Sequence, residues 1–348
     1  MISTNACNPT AIALVLKPAT TTADRSLEAW LPAMAEPPRW IEIFQKNGVK
    51  QVMPVFRQQN LYSQLLEAIA GQLSLPPVVK WENRDYEIVG VEVNRNSLHV
   101  LTLSFVMDSP SDVPDPQAVR DLCWQWLAAA NPSPIANWQP HQKMPWIAAT
   151  YPLQGRQASG NENRWQLKIS LLDGDLLVPL LWGLSADAGK EISLAGIPIQ
   201  LSPRVNLVAS NTYTKVTQVP PQETITLRFL SPTSFKQQGN IQPFPLPELV
   251  FGSLLRRWHQ LAPRSLQLPE VDWEGCVSAL NVKTKTCQLN RTPQIGCVGW
   301  VSYRFHDPEQ ARVATILAHF AQFAGVGRKT AFGMGQTILK QQGGSHDG

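Results

Sequence analysis

The sequence has little of what marks several large classes of protein. Its five cysteines are widely spaced and form no C-x-x-C pair, which argues against a disulfide framework and against a zinc site. Its histidines form no H-x-H or H-E-x-x-H group. No apolar run reaches the roughly 18 residues of a membrane span, and the N-terminus lacks the pattern of an export signal. We therefore expect a cytoplasmic protein with no membrane partner, no metal and no cofactor.

Charge is sparse and unevenly placed. Charged residues make up 16% of the 348 positions and hydrophobic residues 43%, which is typical of a globular protein. Residues 1–222 carry 17 basic and 18 acidic side chains, whereas residues 223–348 carry 13 basic and 8 acidic ones. This asymmetry suits a polyanionic partner, although a solvated basic face would give the same counts.

From position 98 the chain reads as two copies of one plan. The 29 prolines fall between apolar runs and predict many short elements joined by stiff turns. The first copy predicts, in order, a strand, a helix, two strands, a helix and a closing strand or hairpin, over residues 98–107, 117–130, 146–153, 165–172, 175–184 and 191–208. The second predicts a strand, a helix, a pair of strands, a helix and a strand, over residues 224–229, 247–259, 277–305, 309–323 and 333–339.

This order predicts an α+β fold of tandem ferredoxin-like (RRM-like) domains, the plan shared by many RNA-recognition folds. We place the first domain at residues 98–222, the second at 223–340, and a disordered tail at 341–348. Residues 1–97 carry no motif. Candidate strands at 11–16 and 86–93 and an amphipathic helix at 61–73 favour an accessory N-terminal extension or domain of unknown fold.

The strongest local motif is GVGRKTAFGMG, which spans residues 325–335 between a predicted helix and a predicted strand. Glycines allow the backbone to approach a ligand closely and to turn its amides toward phosphates, and basic side chains add charge. The motif is not a nucleotide-binding P-loop, because that loop runs from a strand into a helix. A turn with a purely structural role would show the same sequence pattern. As RNA-binding candidates we take Gly325, Gly327, Arg328, Lys329, Gly333 and Gly335.

Three further segments accompany this loop: PTSF at 232–235, LPELVFGSLLRRW at 246–258 and VGWVSYRF at 298–305. Together they resemble the endoribonucleases that cut CRISPR precursor RNA at its repeats, the sixth numbered family of CRISPR-associated proteins, in the RAMP superfamily. The resemblance covers about residues 98–340. It implies tandem ferredoxin-like domains, a glycine-rich loop that positions RNA, and metal-independent cleavage beside a repeat stem. The implied products carry a 5′-hydroxyl and a 2′,3′-cyclic phosphate.

Such cleavage needs a base for the ribose 2′-hydroxyl, a cation beside the phosphorane and an acid for the leaving oxygen. The family usually carries a histidine in the loop after the first helix, a lysine shortly behind it, and often a tyrosine on that helix. The resemblance assigns the histidine to His141 and the lysine to Lys143. Trp124 stands where the tyrosine would be, and His141 is displaced about two residues from the usual register. An ordinary loop histidine in a decayed active site would look the same.

Further RNA contacts are expected from Lys236, in the loop after PTSF, and from Arg256 and Arg257, which the apolar stripe of the adjoining helix leaves more exposed. Solvated charges would explain these three equally well. The expected partners are CRISPR repeat RNA, as precursor and as mature guide RNA, and subunits of an effector complex. The alternative is a catalytically inactive RNA-binding subunit of the same fold. A backbone subunit from the same superfamily is a third reading, against which PTSF and LPELVFGSLLRRW argue.

Overall fold

The fold is taken from a computed structural model, which describes residues 11–31, 34, 36–44, 50–57, 61–72, 77–108, 113–130, 133, 135–136, 144–153, 163–289 and 292–340. The N-terminal part contains five strands and two helices. In chain order they are β1 (Ala11–Pro18), α1 (Leu27–Trp30), β2 (Arg39–Phe44), β3 (Lys50–Val55), α2 (Leu61–Gln72), β4 (Val78–Trp81) and β5 (Arg84–Asn94). The expected tail, 341–348, lies outside the described residues.

The middle of the chain forms the first ferredoxin-like domain. Its elements are β6 (Leu98–Met107), α3 (Pro116–Ala128), β7 (Trp146–Pro152), β8 (Asn163–Leu171), α4 (Leu177–Asp187), β9 (Glu191–Leu194), β10 (Ile197–Leu201), β11 (Val205–Asn211) and α5 (Tyr213–Thr217). Strand β6 is central: it pairs antiparallel with β8 on one side and with β10 and β11 on the other, and β8 pairs with β7. This is the strand arrangement of the predicted β-α-β-β-α-β plan.

The last third forms the second ferredoxin-like domain. Its elements are β12 (Thr224–Thr233), β13 (Phe235–Gln237), β14 (Asn240–Gln242), α6 (Pro247–Leu261), β15 (Cys276–Leu289), β16 (Thr292–Arg304), α7 (Pro308–Ala324) and β17 (Thr337–Lys340). The sheet order is β15-β16-β12-β17, and β13 with β14 forms a separate two-stranded ribbon. The two copies therefore repeat one topology, as predicted.

Capping explains where the main helices begin. Asp307 accepts a hydrogen bond from the Gln310 amide at 2.7 Å, and Pro308 occupies the first helical turn, where its missing amide costs nothing. Asp115 and Pro116 start α3 in the same way. Helix α6 begins at Pro247 and buries one stripe made of Val250, Phe251, Leu254, Leu255 and Trp258.

The N-terminal strands extend the first domain's sheet. Strand β2 pairs in parallel with β11 through Val205↔Ile43 and Asn206↔Phe44, which yields one sheet of 11 strands. One hydrophobic core runs through the N-terminal part and the helical face of the first domain. Sequence patterns predicted strands at 11–16 and 86–93 and a helix at 61–73, and the structure confirms β1, β5 and α2, but they did not indicate this pairing. The domain boundary at residue 97 stays a prediction.

The two ferredoxin-like domains meet on the other face of the first sheet. Val100 and Ile147, from β6 and β7, are buried in the same core as α6, α7 and the second sheet. Strand β6 is consequently buried along nearly its whole length, which explains its almost continuous apolar sequence. In the part of the chain that the structure describes, no helix has both the length and the apolar character needed to cross a membrane.

Candidate nucleic-acid interface

The glycine-rich segment 325–335 forms a closed loop between α7 and β17, on the second domain and against the first. Its two ends are joined by a hydrogen bond from the Val326 amide to the Gly335 carbonyl, 2.8 Å. The Arg328 amide donates to Ser234 O at 2.9 Å, which fastens the loop to the PTSF segment. Lys329 adopts a left-handed conformation with φ of 53° and begins a short 3-10 turn. The loop is therefore held in one defined shape.

All four glycine amides of the loop donate inside the protein. The bonds run from Gly325 to Ala321 O (2.8 Å), from Gly327 to Ser253 Oγ (3.3 Å), from Gly333 to Thr330 O (3.1 Å) and from Gly335 to Pro232 O (3.0 Å). The expectation that these amides turn toward phosphates is therefore wrong, because each already has an acceptor. That these glycines lie at an RNA interface stays a prediction.

Glycine is required at these positions because one stretch of backbone lies very close to another. Gly327 has φ of 79°, and a Cβ there would lie 2.4 Å from Ser234 O. Gly335 has φ of 69°, and its Cβ would lie 1.9 Å from Val326 O. A side chain at either place would meet rigid backbone in a conformation that L-residues rarely adopt. The glycines allow the loop to seat itself, and the basic side chains remain available for a ligand.

Arg257 is one of the groups that seat the loop. Its guanidinium donates to the carbonyl of Ala324 and to Oγ1 of Thr330, one residue on each side of the turn. Burial lowers the pKa of Arg257 to about 10, and the neighbouring Tyr213 opposes that shift. Arg256 is exposed, as predicted, but Arg257 is only partly so. Its predicted exposure is corrected, because its side chain turns beneath the loop.

A cavity of about 460 Å³ opens beside this loop, at the junction of the two domains. Five of the predicted RNA-binding cations line it together with a sixth from the first domain, and no carboxylate is among its described lining residues. These six are Arg120, Lys236, Arg256, Arg257, Arg328 and Lys329. We call this the basic cavity. Six positive groups on one concave surface create a field that attracts a phosphate chain.

Arg120 is the residue that sequence analysis missed. It lies on α3, and its guanidinium stands 5.0 Å over the ring of Phe332, in the glycine-rich loop. Its Nε and Nη2 atoms also contact Asp121 Oδ1, at 3.3 and 3.2 Å. A cation on an aromatic face across two domains is a favourable contact, worth roughly 0.5–1 kcal/mol where exposed. Only the tertiary arrangement brings this helix to the loop, so no local pattern could have indicated it.

The remaining predicted positions fall in three groups. Lys236, Gly327, Arg328 and Lys329 line the basic cavity with the two arginines of α6. Gly325, Gly333 and Gly335 shape the loop: the first caps α7, the second packs against Ala149 of β7, and the third bonds to β12. His141 and Lys143 lie outside the described residues.

Two described residues bear on the catalytic assignment. Met144, which directly follows Lys143 in the chain, lines the basic cavity. Trp124 is partly buried and packs on the core of the first domain, so its position on α3 serves packing.

Comparison with known proteins agrees with this geometry. Residues 227–337 match the family described as "CRISPR-associated endoribonuclease Cas6". A curated CRISPR-associated endoribonuclease Cas6 from Streptococcus thermophilus is 24% identical over 120 residues, which are 33% of this chain and 49% of that protein. The match thus spans about half the length of the curated relative.

Solved structures extend the likeness over more of the chain. A Cas6 product complex is 27% identical, with a TM-score of 0.56, over 70% of this chain and 99% of the other. A second Cas6 product complex has a TM-score of 0.61 over 70% of this chain and 100% of the other, at 23% identity, and so shows the fold alone. Residues 227–337 thus match the Cas6 family of CRISPR-associated proteins, and the tandem ferredoxin-like fold that carries them is similar to solved Cas6 structures.

Proposed function

We propose that this chain is an endoribonuclease that binds CRISPR repeat RNA in the basic cavity and cuts the precursor within its repeats. The observation that carries the proposal is the cavity itself, where six cations from both domains face one space without a carboxylate among the described lining residues. Phosphate contacts supply much of the affinity of nucleic-acid binding, and they require this arrangement. One of the similar solved structures is a Cas6 product complex and the curated relative is described as an endoribonuclease, which supports an RNA ligand for this chain.

We assign the chemistry to the loop that precedes β7. His141 takes the proton of a ribose 2′-hydroxyl or delivers one to the leaving 5′-oxygen, since a histidine can do either near neutral pH. Lys143 stabilises the charge that develops on the phosphorane oxygens. Attack by the 2′-oxygen on the adjacent phosphorus expels the 5′-oxygen and leaves a 2′,3′-cyclic phosphate and a 5′-hydroxyl. This route needs no metal ion. Met144 on the wall of the basic cavity supports the assignment, because it adjoins Lys143 in the chain.

A second function is a catalytically inactive RNA-binding subunit that keeps the cut repeat. It is favoured by Trp124, whose side chain packs on the core and offers no hydroxyl where the family often has a tyrosine. With either function, we propose subunits of an effector complex as further partners. We propose that it meets its RNA in the cytoplasm.

A cleavage assay in EDTA separates the two functions. Repeat RNA from the adjoining CRISPR array is incubated with the protein, beside the same RNA with a 2′-deoxynucleotide before the scissile phosphate. An endoribonuclease of this type cuts only the first RNA, and end analysis finds the cyclic phosphate. Binding without cleavage supports the inactive subunit. Cleavage that requires added Mg²⁺, or that spares neither RNA, contradicts the proposed chemistry.

A further inference from the structure

Lys168 is a partly buried cation at the junction of the two domains, and the proposed function does not use it. It lies on β8, between Thr102 of β6 and Ala149 of β7 in the register of the sheet. Its Nζ donates to Oε1 of Gln336 at 2.9 Å, and it contacts the carbonyl of Gln322 at 3.4 Å. Both acceptors belong to the second domain. A lysine of the first sheet thus reaches across the junction.

The two acceptors stand on opposite sides of the glycine-rich loop. Gln322 lies in the last turn of α7, before the loop begins, and Gln336 follows the loop's last glycine. Gln336 is 2% exposed and its backbone is fixed to β12. Its backbone N–H donates to Ser231 Oγ at 2.9 Å, and its backbone carbonyl accepts from the Leu230 backbone N–H at 2.7 Å. One ammonium group therefore joins both stems of the loop to the first domain.

The acceptors that hold the Lys168 ammonium group are neutral dipoles, the Gln336 side-chain amide and the Gln322 backbone carbonyl. Among the described residues no carboxylate forms an ion pair with Lys168. The Gln322 carbonyl is at the C-terminal end of α7, where the helix dipole favours positive charge. Burial lowers the pKa of Lys168 to about 8. Moving a cation out of water is costly unless acceptors replace its hydration, and here two oxygen atoms of the second domain do so.

Neighbouring contacts point the same way. Gly333, at the far end of the loop, packs against Ala149, which is the β7 partner of Lys168; a Cβ on Gly333 would lie 3.3 Å from Ala149 Cβ. Phe332 lies under Arg120. The face of the first sheet that meets the second domain therefore supports the loop. Lys168 is the group that joins this face to both stems of the loop.

We infer that Lys168 is a positioning residue, which fixes the glycine-rich loop against the first domain and so sets the distance between the cations on the two walls of the basic cavity. This inference rests on the proposed function for its link to RNA, but its structural half can be tested without RNA. Lys168 lies in β8 and is not one of the cavity's lining residues, so it need not touch the ligand itself.

The test compares Lys168→Met, which keeps the aliphatic stem and removes the donor, with Lys190→Met, which removes an exposed lysine of the same domain. Hydrogen exchange of peptides covering 322–336 is measured in the RNA-free proteins, together with their affinity for repeat RNA that carries the 2′-deoxynucleotide. We expect faster exchange in the loop of Lys168→Met alone, with β6 and β8 unchanged. We also expect about a tenfold loss of affinity, equal to about 1.4 kcal/mol. If Lys168→Met does not fold, Gln336→Met removes the contact from the other side and should give the same pattern.

The possible results bear on the positioning role of Lys168 in different ways. Unchanged exchange in the loop overturns the positioning role, and so does faster loop exchange with undiminished RNA affinity. Faster exchange throughout the domain also overturns it, because Lys168 would then be a general stabilising group. A wild-type protein that binds no repeat RNA overturns the proposed function, while faster exchange confined to the loop would still establish Lys168 as its anchor.

Discussion

Cationic side chains close together in this protein have different roles. The role of each depends on whether its donors face the cavity or bond to acceptors inside the protein. Arg256 and Arg257 are adjacent in the chain, yet the first is exposed in the basic cavity while the second donates to the Ala324 carbonyl and to Thr330. Lys168 likewise has its donor engaged inside the protein. Substitutions of exposed cavity cations should therefore lower RNA affinity directly. Substitution of an internal cation should act through the shape of the loop.

The His141→Ala substitution should abolish cleavage while it leaves repeat affinity within about threefold. A group that is used mainly in the transition state affects the rate far more than ground-state binding. One residue acting by general acid–base catalysis commonly contributes roughly 10² to 10⁴ in rate. Single-turnover cleavage in EDTA measures the loss, and Lys143→Ala should show a milder one. A His141→Ala variant that cuts at full rate would place the base elsewhere.

The burial of His99 leads us to predict that the folded state loses stability in acid. It is fully buried, with ring nitrogens 2.9 Å from Ser210 Oγ and 3.0 Å from Asn96 O, and burial lowers its pKa to about 4. Between the ordinary pKa of about 6.5 and this value, the unfolded chain binds a proton that the folded chain does not. Stability is thus fully present above pH 6.5 and falls as the pH is lowered toward 4.

The same relation between proton binding and stability gives the size of the stability loss expected from His99. From pH 7 to pH 5, wild type should lose about 2 kcal/mol of unfolding free energy through this group. Urea denaturation of His99→Gln at both pH values should lack that loss, whereas His306→Gln, which removes an exposed histidine, should retain it. Equal pH dependence in wild type and His99→Gln would contradict the assignment.

At the level of elements, the glycine-rich loop depends on two backbones that nearly touch. Gly335→Ala should lower the unfolding free energy by more than about 1 kcal/mol, because the new Cβ would lie 1.9 Å from Val326 O at a φ of 69°. Gly71→Ala is the matched control. A Cβ at this α2 position meets nothing within 4 Å, and alanine should stabilise the helix by roughly 0.5–1 kcal/mol. Denaturant midpoints distinguish the two, and equal effects of the same sign would refute the argument.

The elements themselves were largely predictable from sequence. Alternating and helical apolar patterns located β6, α3, α6 and α7 to within one or two residues, because each buries a regular stripe or face. The glycine motif was found, but the reason for its glycines was not, because the backbone atoms that they approach belong to Ser234, directly after β12, and to Val326 at the start of the loop. Arg120 and Lys168 were missed because their partners, Phe332 and Gln336, are distant in sequence. Such contacts exist only after the domains have packed.

At the level of the whole molecule, we propose that the N-terminal part is separable in function from the part that forms the basic cavity. Every described residue that lines the basic cavity is Arg120 or later in the chain. The N-terminal strands join the first domain through β2 and β11, through the shared core, and through Arg39, which lies 4.0 Å over the Trp182 ring. The N-terminal part therefore supports the first sheet from the edge away from β8.

A chain that begins at Asn94 should accordingly fold with reduced stability and bind repeat RNA with affinity within about threefold of the full chain. The stability falls because the edge of β11 and part of the shared core become exposed to water. Circular dichroism and denaturant unfolding measure the first effect, and filter binding measures the second. An insoluble or unfolded shortened chain would show that the N-terminal strands belong to the first domain, and that the boundary at residue 97 is misplaced.

The salt dependence of RNA binding tests the role of the basic cavity most directly. Affinity for repeat RNA carrying the 2′-deoxynucleotide is measured over a range of salt concentrations for wild type, for the Arg328→Ala/Lys329→Ala double variant, and for Arg84→Ala/Lys190→Ala, which removes two exposed cations outside the cavity. Each phosphate contact contributes about 0.7–0.9 to the logarithmic slope. The double variant of the loop should bind more weakly, with a slope shallower by about one to two, and the control should match wild type. A loop variant with the affinity and slope of wild type would contradict RNA binding in this cavity.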